Sequence, residues 1–479
     1  KVSVLVLLLG LVGLSACTST PRTLLDVISG ISLTEVCTPV AVADGSGGVY
    51  VAYEKNLQGV ARIAYLQRLD ADGKPLWPGN GPRIYLENVP GYEHFGVPVG
   101  KLVAAKDGAI LVWYLGSGVW AQKVDSGGDL LWGRQGVKSN VDLPPSGAPG
   151  AGLLGAVSDG AGGVVIAAYA GPPAGITLDR LDASGKSVWS GKEWSAGPSS
   201  PPAPPYELDV SAGASGDFFV WWNRGTSWGI QKVNAQGEFQ WGPEGVVPPP
   251  AMSGSSCEQA VDDGMGGVLV LCNAPAERLG SSGQKQGKLF AQHFDTQGKP
   301  LWPESGVVLA KLADEGSGRA LVPDGAGGAV VAWQSPDNEI YAQRVSPAGQ
   351  LWWGEQGLRV VPKASFFSPA PGDKPGEALI GWKEPVSAEG GGRKFELRAQ
   401  KLTEDGAVAW GTGGTAFTVL EPVGASTPLI IADGEGGAWL IWTVGHFGAD
   451  HNDITYIQRV GANGRPLWGE RGVKLSALR

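Results

Sequence analysis

The chain has 479 residues, among them 76 Gly, 35 Pro and 19 Trp, with 43% apolar residues and a formal net charge of -9. That length calls for several domains or a repeat array, and the apolar and aromatic content excludes a disordered chain. The acidic balance excludes the basic face that a nucleic-acid partner requires.

The chain opens with KVSVLVLLLGLVGLSAC, largely apolar as far as Leu14. A run this short falls below the roughly 20 residues of a bilayer span. It fits the hydrophobic region of a secretory signal. Leu14-Ser15-Ala16-Cys17 resembles the lipobox of bacterial lipoproteins. The resemblance implies cleavage before Cys17 and a diacylglyceryl thioether on its sulfur. An ordinary signal peptide with an incidental cysteine is the alternative. Each buried CH₂ of an acyl chain contributes about 0.8 kcal/mol, and stable anchoring takes more than one chain. Residues 1–16 are therefore read as a lipoprotein signal peptide, 17–35 as lipidated cysteine and tether, and 36–479 as the folded body. The expected location is the bacterial cell envelope, at the outer membrane or cell surface.

Within that body a Gly followed four residues later by Trp recurs eight times, from Gly73/Trp77 to Gly464/Trp468, at intervals of 51 to 61 residues. Near-constant intervals are the mark of a repeat architecture. A strand-like stretch precedes each copy, as in AYLQRLD or IYAQRVS, with Gln at one fixed position in seven copies and Asp179 in the third. Further upstream lies DGxGG, clean at 44–48, 159–163, 263–267, 324–328 and 433–437, and degraded near Asp107, Gly213–Gly216 and Gly372–Gly376. One unit thus reads strand, DGxGG turn, strand, variable loop, strand, xxG turn, Trp-bearing strand. Four antiparallel strands in about 56 residues make one β-propeller blade, and eight units predict eight blades of an all-β fold. The repeated Trp is read as packing between blades.

The phrase LDADGKPLW (69–77), with its counterparts at 181–189 and 294–302, resembles the tryptophan-docking repeat of PQQ-type quinoprotein propellers. Those propellers also have eight blades. The family includes the lipoprotein subunit of the bacterial outer-membrane protein assembly machinery. The resemblance implies the same eight-bladed fold. PQQ dehydrogenases carry adjacent cysteines near the cofactor; this chain has no adjacent pair, so PQQ is not expected.

In such a blade the DGxGG and xxG turns share one face, while the loops that vary in length share the other. Variable loops on a rigid frame are where binding resides. The longest second-to-third-strand loops belong to blades 1, 5, 7 and 8, and blades 7, 8 and 1 become neighbours once the ring closes. They predict an elevated rim. Its candidate residues are His446, Asp450, His451 and Asp453 in VGHFGADHNDI, and His94 in GYEHFG. Imidazole with carboxylate is a donor set for a divalent metal, and His446, Asp450, His451 and Asp453 are the weak candidates for one; a solvated polar loop is the plainer reading. No nucleophile elbow, phosphate loop, zinc spacing or other catalytic motif stands in a convincing context, so no catalytic residue is assigned.

Cys257 and Cys272 flank the blade 5 DGMGG turn almost symmetrically and are disulfide candidates, with two buried thiols as the alternative. Cys37 is left over. The expected function is that of a lipid-anchored, exported, non-catalytic binding or scaffold protein. Its partner would be a protein or a cell-envelope component on the variable-loop face. Its only membrane contact would be the lipid anchor, it would bind no nucleic acid, and the propeller would be monomeric. The alternative is a surface propeller that binds or degrades glycans, of the glycosidase or lyase class.

Overall fold

Alternation of apolar residues along the strands, punctuated by glycine turns, folds each repeat into an antiparallel sheet whose strands follow in chain order. The computed structural model describes residues 39–57, 61–84, 100–115, 117–144, 153–171, 175–189, 192–194, 205–279, 284–312, 318–387, 393–420, 426–444, 454–469 and 471–475. Blade 1 comprises Val40–Ala43, Val49–Leu57, Ala61–Leu69 and Arg83–Ile84, hydrogen-bonded in that order, and the pattern repeats through eight blades. In blade 4 the three strands Glu207–Ala212, Phe218–Asn223 and Trp228–Val233 are extended, and the fourth is reduced to the bridge Ile230–Val246. Pro248, Pro249 and Pro250 follow at once, and proline has no amide to continue a ladder.

The eight first strands pack side by side in blade order, and Leu429–Ala432 of blade 8 packs on Val40–Ala43 of blade 1. Blade 8 supplies its own fourth strand, Val473–Lys474, so the ring closes by whole blades. The cores lie between blades. Along the second strand of blade 1, Tyr50 and Ala52 join Leu111 and Trp113 of blade 2, while Val49 and Val51 join Trp439 and Ile441 of blade 8. The two-residue period of a strand sends alternate side chains to opposite neighbours, so both faces of a blade are buried.

The Gly and Trp of one copy do not touch each other. Trp77 packs under Gly128 of the next blade, Trp132 under Gly185, and so on around the ring to Trp468 under Gly73. All eight glycines have positive φ, from 76° to 97°. In seven blades the indole N–H also donates, at 2.9–3.2 Å, to the carbonyl two residues before that glycine. The expected inter-blade role of the tryptophan is therefore what the structure shows. Its position within the blade differs from the sequence reading. Trp77 lies ahead of the fourth strand, on a corner after the Leu69–Pro75 bridge. The reason is a second glycine four residues after Trp in seven copies, such as Gly81 and Gly136, at φ between 63° and 78°. It turns the chain before the ladder resumes.

The fixed Gln holds that corner. Gln67 Nε2 donates to the carbonyls of Trp77 and Gly79, and its Oε1 accepts the amides of Arg68 and Trp77. Asp179 fills the same position in blade 3, where burial outweighs its hydrogen bonds and raises its carboxyl above the usual range.

The residue after the fixed position is basic, Arg or Lys in seven blades and His293 in blade 5, and it joins the two kinds of turn. In blades with a clean DGxGG, one oxygen of the Asp caps the turn and the other meets the basic side chain. Asp324 Oδ1 accepts the Ala326 and Gly328 amides, and Oδ2 lies 2.9 Å from Arg344 Nε. Arg344 Nη1 then donates to Glu404 O of blade 7, the carbonyl that also accepts the Trp353 indole. Arg68, Arg180 and Arg459 repeat the arrangement, and His293 takes it in blade 5. Blades 2, 4 and 7 have the degraded turn and a lysine instead. Lys123, Lys232 and Lys401 pair with Asp107, Asp217 and Glu377, and donate to Gly162, Gly266 and Gly436 of the following blade.

Candidate binding site at the mouth of the central channel

On the short-turn face, then, the repeated polar groups are consumed by the ring itself. The opposite face is different. Second and third strands of 9 to 12 residues in blades 1, 5 and 7 form arms longer than the 6 to 8 residues of the other blades. The first strands, packed side by side around the ring, are the innermost of each blade and line the axis where a propeller has its channel. Their starting residues reach this face, and there the blades share no motif.

In blades 2, 4, 5 and 6 those starts carry an arc of polar groups, and blade 3, which starts at Leu154, contributes only the small Gly155. Lys101 Nζ, at the start of the blade 2 strand Lys101–Ala105, lies 3.1 Å from Asp209 Oδ2 of blade 4. Blade 3 permits this because Gly155 stands between them; a β-carbon there would come within 2.8 Å of the Asp209 Cα. Two residues before Asp209, Glu207 accepts from Asn223 Nδ2 at 3.2 Å. Asn223 Oδ1 accepts the Gly225 amide and the Ser256 hydroxyl, crossing to blade 5. Glu258 accepts from Asn273 Nδ2 through Oε1 and from Arg319 Nε of blade 6 through Oε2, at 3.0 and 2.6 Å. Gln259 Oε1 accepts the Leu321 amide and fixes the two first strands together.

The electrostatics single out Glu207. Burial pushes its carboxyl up to about 7, and the nearby Glu258 charge adds to the effect; the Asn223 hydrogen bond and the more distant Arg319 oppose it. Among the described residues no cation lies within ion-pair distance of Glu207. Blades 7, 8 and 1 complete the mouth with apolar starts, Phe366, Leu429 and Val40. Two aromatics stand out into solvent, Tyr206 at 69% and Phe366 at 60% exposure. Behind Phe366 the Lys383 ammonium lies 4.5 Å from the Phe395 ring centroid, and burial lowers its pKa.

Cys257 and Cys272 face each other on the first and second strands of blade 5 and are joined by a disulfide. They flank Glu258 and Asn273, so the bond braces the strand pair that carries both. Cys17, Cys37, His94, His446, Asp450, His451 and Asp453 lie outside the described residues. Among the described residues no group of three His, Cys, Asp or Glu side chains is disposed to hold a metal ion. None of the arc residues was singled out from the sequence, since each occupies a position where the repeats differ. The one signal available was charge at the start of a first strand, where blades 1 and 8 have Val or Leu.

No family model matches the chain, and no curated protein matches it. Solved structures of similar shape include a puromycin hydrolase S511A mutant, 14% identical over 88% of this chain, with a TM-score of 0.40; the chain spans 58% of that enzyme's length. They also include polysaccharide lyase Uly1, 11% identical over 76% of this chain and 90% of that one, with a TM-score of 0.42. A third is the BP39L lectin from Burkholderia pseudomallei, 12% identical over 79% of this chain and 99% of that one, with a TM-score of 0.40.

Proposed function

We propose that this chain is a lipid-anchored, exported propeller that binds a component of the cell envelope through its variable-loop face and performs no chemistry of its own. One observation carries the reading. On the short-turn face each blade spends its basic side chain and indole on its neighbour, whereas on the opposite face the starts of the first strands differ blade by blade and leave groups partly exposed. A rigid frame with one invariant and one individual face is suited to recognition. The lipobox at 14–17 supports anchoring through Cys17. The glycan reading is favoured specifically by the mixture of paired charges and exposed aromatics at the channel mouth.

The experiment immobilises the chain lacking Cys17 and retains detergent-solubilised envelope and a panel of envelope polysaccharides on it. Charge reversal at Lys101 should abolish retention, and reversal at exposed Asp129 of the short-turn face should not. Retention lost only through Asp129→Lys, or no retention at all, overturns the reading. Loss of envelope association in Cys17→Ala, with the thioether seen by mass spectrometry in the parent, tests the anchor.

A further inference from the structure

We propose that the channel mouth is a binding site for an uncharged, hydroxyl-rich ligand, a segment of neutral glycan, seated on the polar arc of blades 2 to 6 with Tyr206 and Phe366 as its aromatic lips. This rests on the reading that the variable-loop face binds, and it names the chemistry that face selects.

The argument is one of charge compensation. Lys101 is paired with Asp209, and Arg319 with Glu258, at 3.1 and 2.6 Å. While Glu207 is protonated, a charged ligand group must break one of those pairs or enter without a counter-ion, and partly buried charges make either route costly. Hydroxyls need neither. Each paired carboxylate keeps unused lone pairs, the ammonium keeps N–H groups, and the guanidinium has donors beyond the one given to Glu258. A hydroxyl can donate to the first and accept from the others. Aromatic faces are also placed to use the apolar face of a sugar ring, and Tyr206 and Phe366 are the large exposed aromatics at the mouth.

Glu207 completes the pattern. The groups around it are Asn223 of its own blade, Glu258 of blade 5 and Arg319 of blade 6. With its carboxyl near 7, it is largely a neutral acid on the acidic side of neutrality and offers an O–H donor. Above that pH it becomes an uncompensated anion next to Glu258. The ligand should therefore bind more tightly below pH 7 than above it.

Isothermal titration with neutral hexasaccharides (glucans, mannans and galactans) and with glucosamine and hexuronate oligomers tests the inference. At pH 6 a neutral oligosaccharide should bind at least about tenfold more tightly than either charged series, and Tyr206→Ala should weaken it about tenfold. Affinity should fall about tenfold from pH 6 to pH 8, as expected for a donor with a pKa near 7. Glu207→Gln, which keeps an N–H donor at every pH, should retain the pH 6 affinity and lose the pH dependence. Preference for a charged oligomer at pH 6, or pH dependence unchanged in Glu207→Gln, overturns the proposal. If no oligosaccharide binds while solubilised envelope is still retained, the glycan assignment falls and the binding reading stands. If Lys101 reversal leaves envelope retention untouched, the binding reading itself falls.

Discussion

A β-carbon on Gly185 would sit 2.9 Å from the Trp132 ring, in a backbone at φ +83°. At Gly216 φ is +75°, but nothing lies within 4 Å of the same imaginary atom. The pair separates two costs that a glycine-to-alanine change usually mixes. The left-handed conformation alone costs a branched-at-Cα residue about 1 kcal/mol. Overpacking a fixed ring adds about 1–3 kcal/mol, because neither the indole nor the Ala183 carbonyl it donates to can move without disturbing the neighbouring blade. We therefore expect Gly185→Ala to destabilise the chain clearly more than Gly216→Ala in urea unfolding. Equal losses would show that the glycine serves the turn and not the docked indole. The sequence disclosed the Gly–Trp spacing but not the partner. A linear motif reports which residues recur, and only ring closure reveals that each glycine belongs to the tryptophan of the preceding copy.

At the scale of the element, blade 5 carries both the disulfide and half of the polar arc. Cys257 and Cys272 are separated by 15 positions and are cross-strand partners, at a point where the first strand bulges between Cys257 and Gln259. Closing a loop of that size contributes about 3 kcal/mol in the chain-entropy view. Cys257→Ala with Cys272→Ala should lower unfolding free energy by about 2–4 kcal/mol. It should also weaken the glycan-panel binding, since Glu258 and Asn273 sit on the strands so joined. Unchanged stability would mean that the ladder alone sets the pairing. The strands, the turns and the number of blades were legible because glycine, DGxGG and tryptophan recur at one interval. The arc was not, because its charge pairs, Glu258 with Arg319 and Lys101 with Asp209, stand on different first strands, 61 and 108 positions apart, and meet only through the ring. The shortened fourth strand of blade 4 was equally hidden, although Pro248–Pro250 held its cause.

For the whole molecule, stability against pH follows from two opposed sets of carboxylates. Burial pushes Asp44 and Asp263 upward, but turn amides with Arg68 in one case and His293 in the other outweigh it and hold both below the ordinary carboxylate range. Groups lowered in the folded state contribute stability that is present above the unfolded value, about 4, and lost as pH falls through the folded one. Glu207 and Asp262 run the other way, raised to about 7 and about 6, first of all by burial. They occupy opposite ends of the seam between blades 4 and 5, on the first strands Glu207–Ala212 and Ser256–Asp262. The folded state holds their protons more tightly than the unfolded chain, so their ionisation above pH 7 is a penalty that disappears as pH falls toward 4 to 5. Stability should therefore rise from pH 8 to a maximum near pH 5 and fall below pH 4. Glu207→Gln with Asp262→Asn should flatten the neutral limb and leave the acid limb in place. A melting temperature that climbs steadily from pH 5 to pH 8 in the parent chain would show that the blade 4–5 seam does not govern the ring's response to protons.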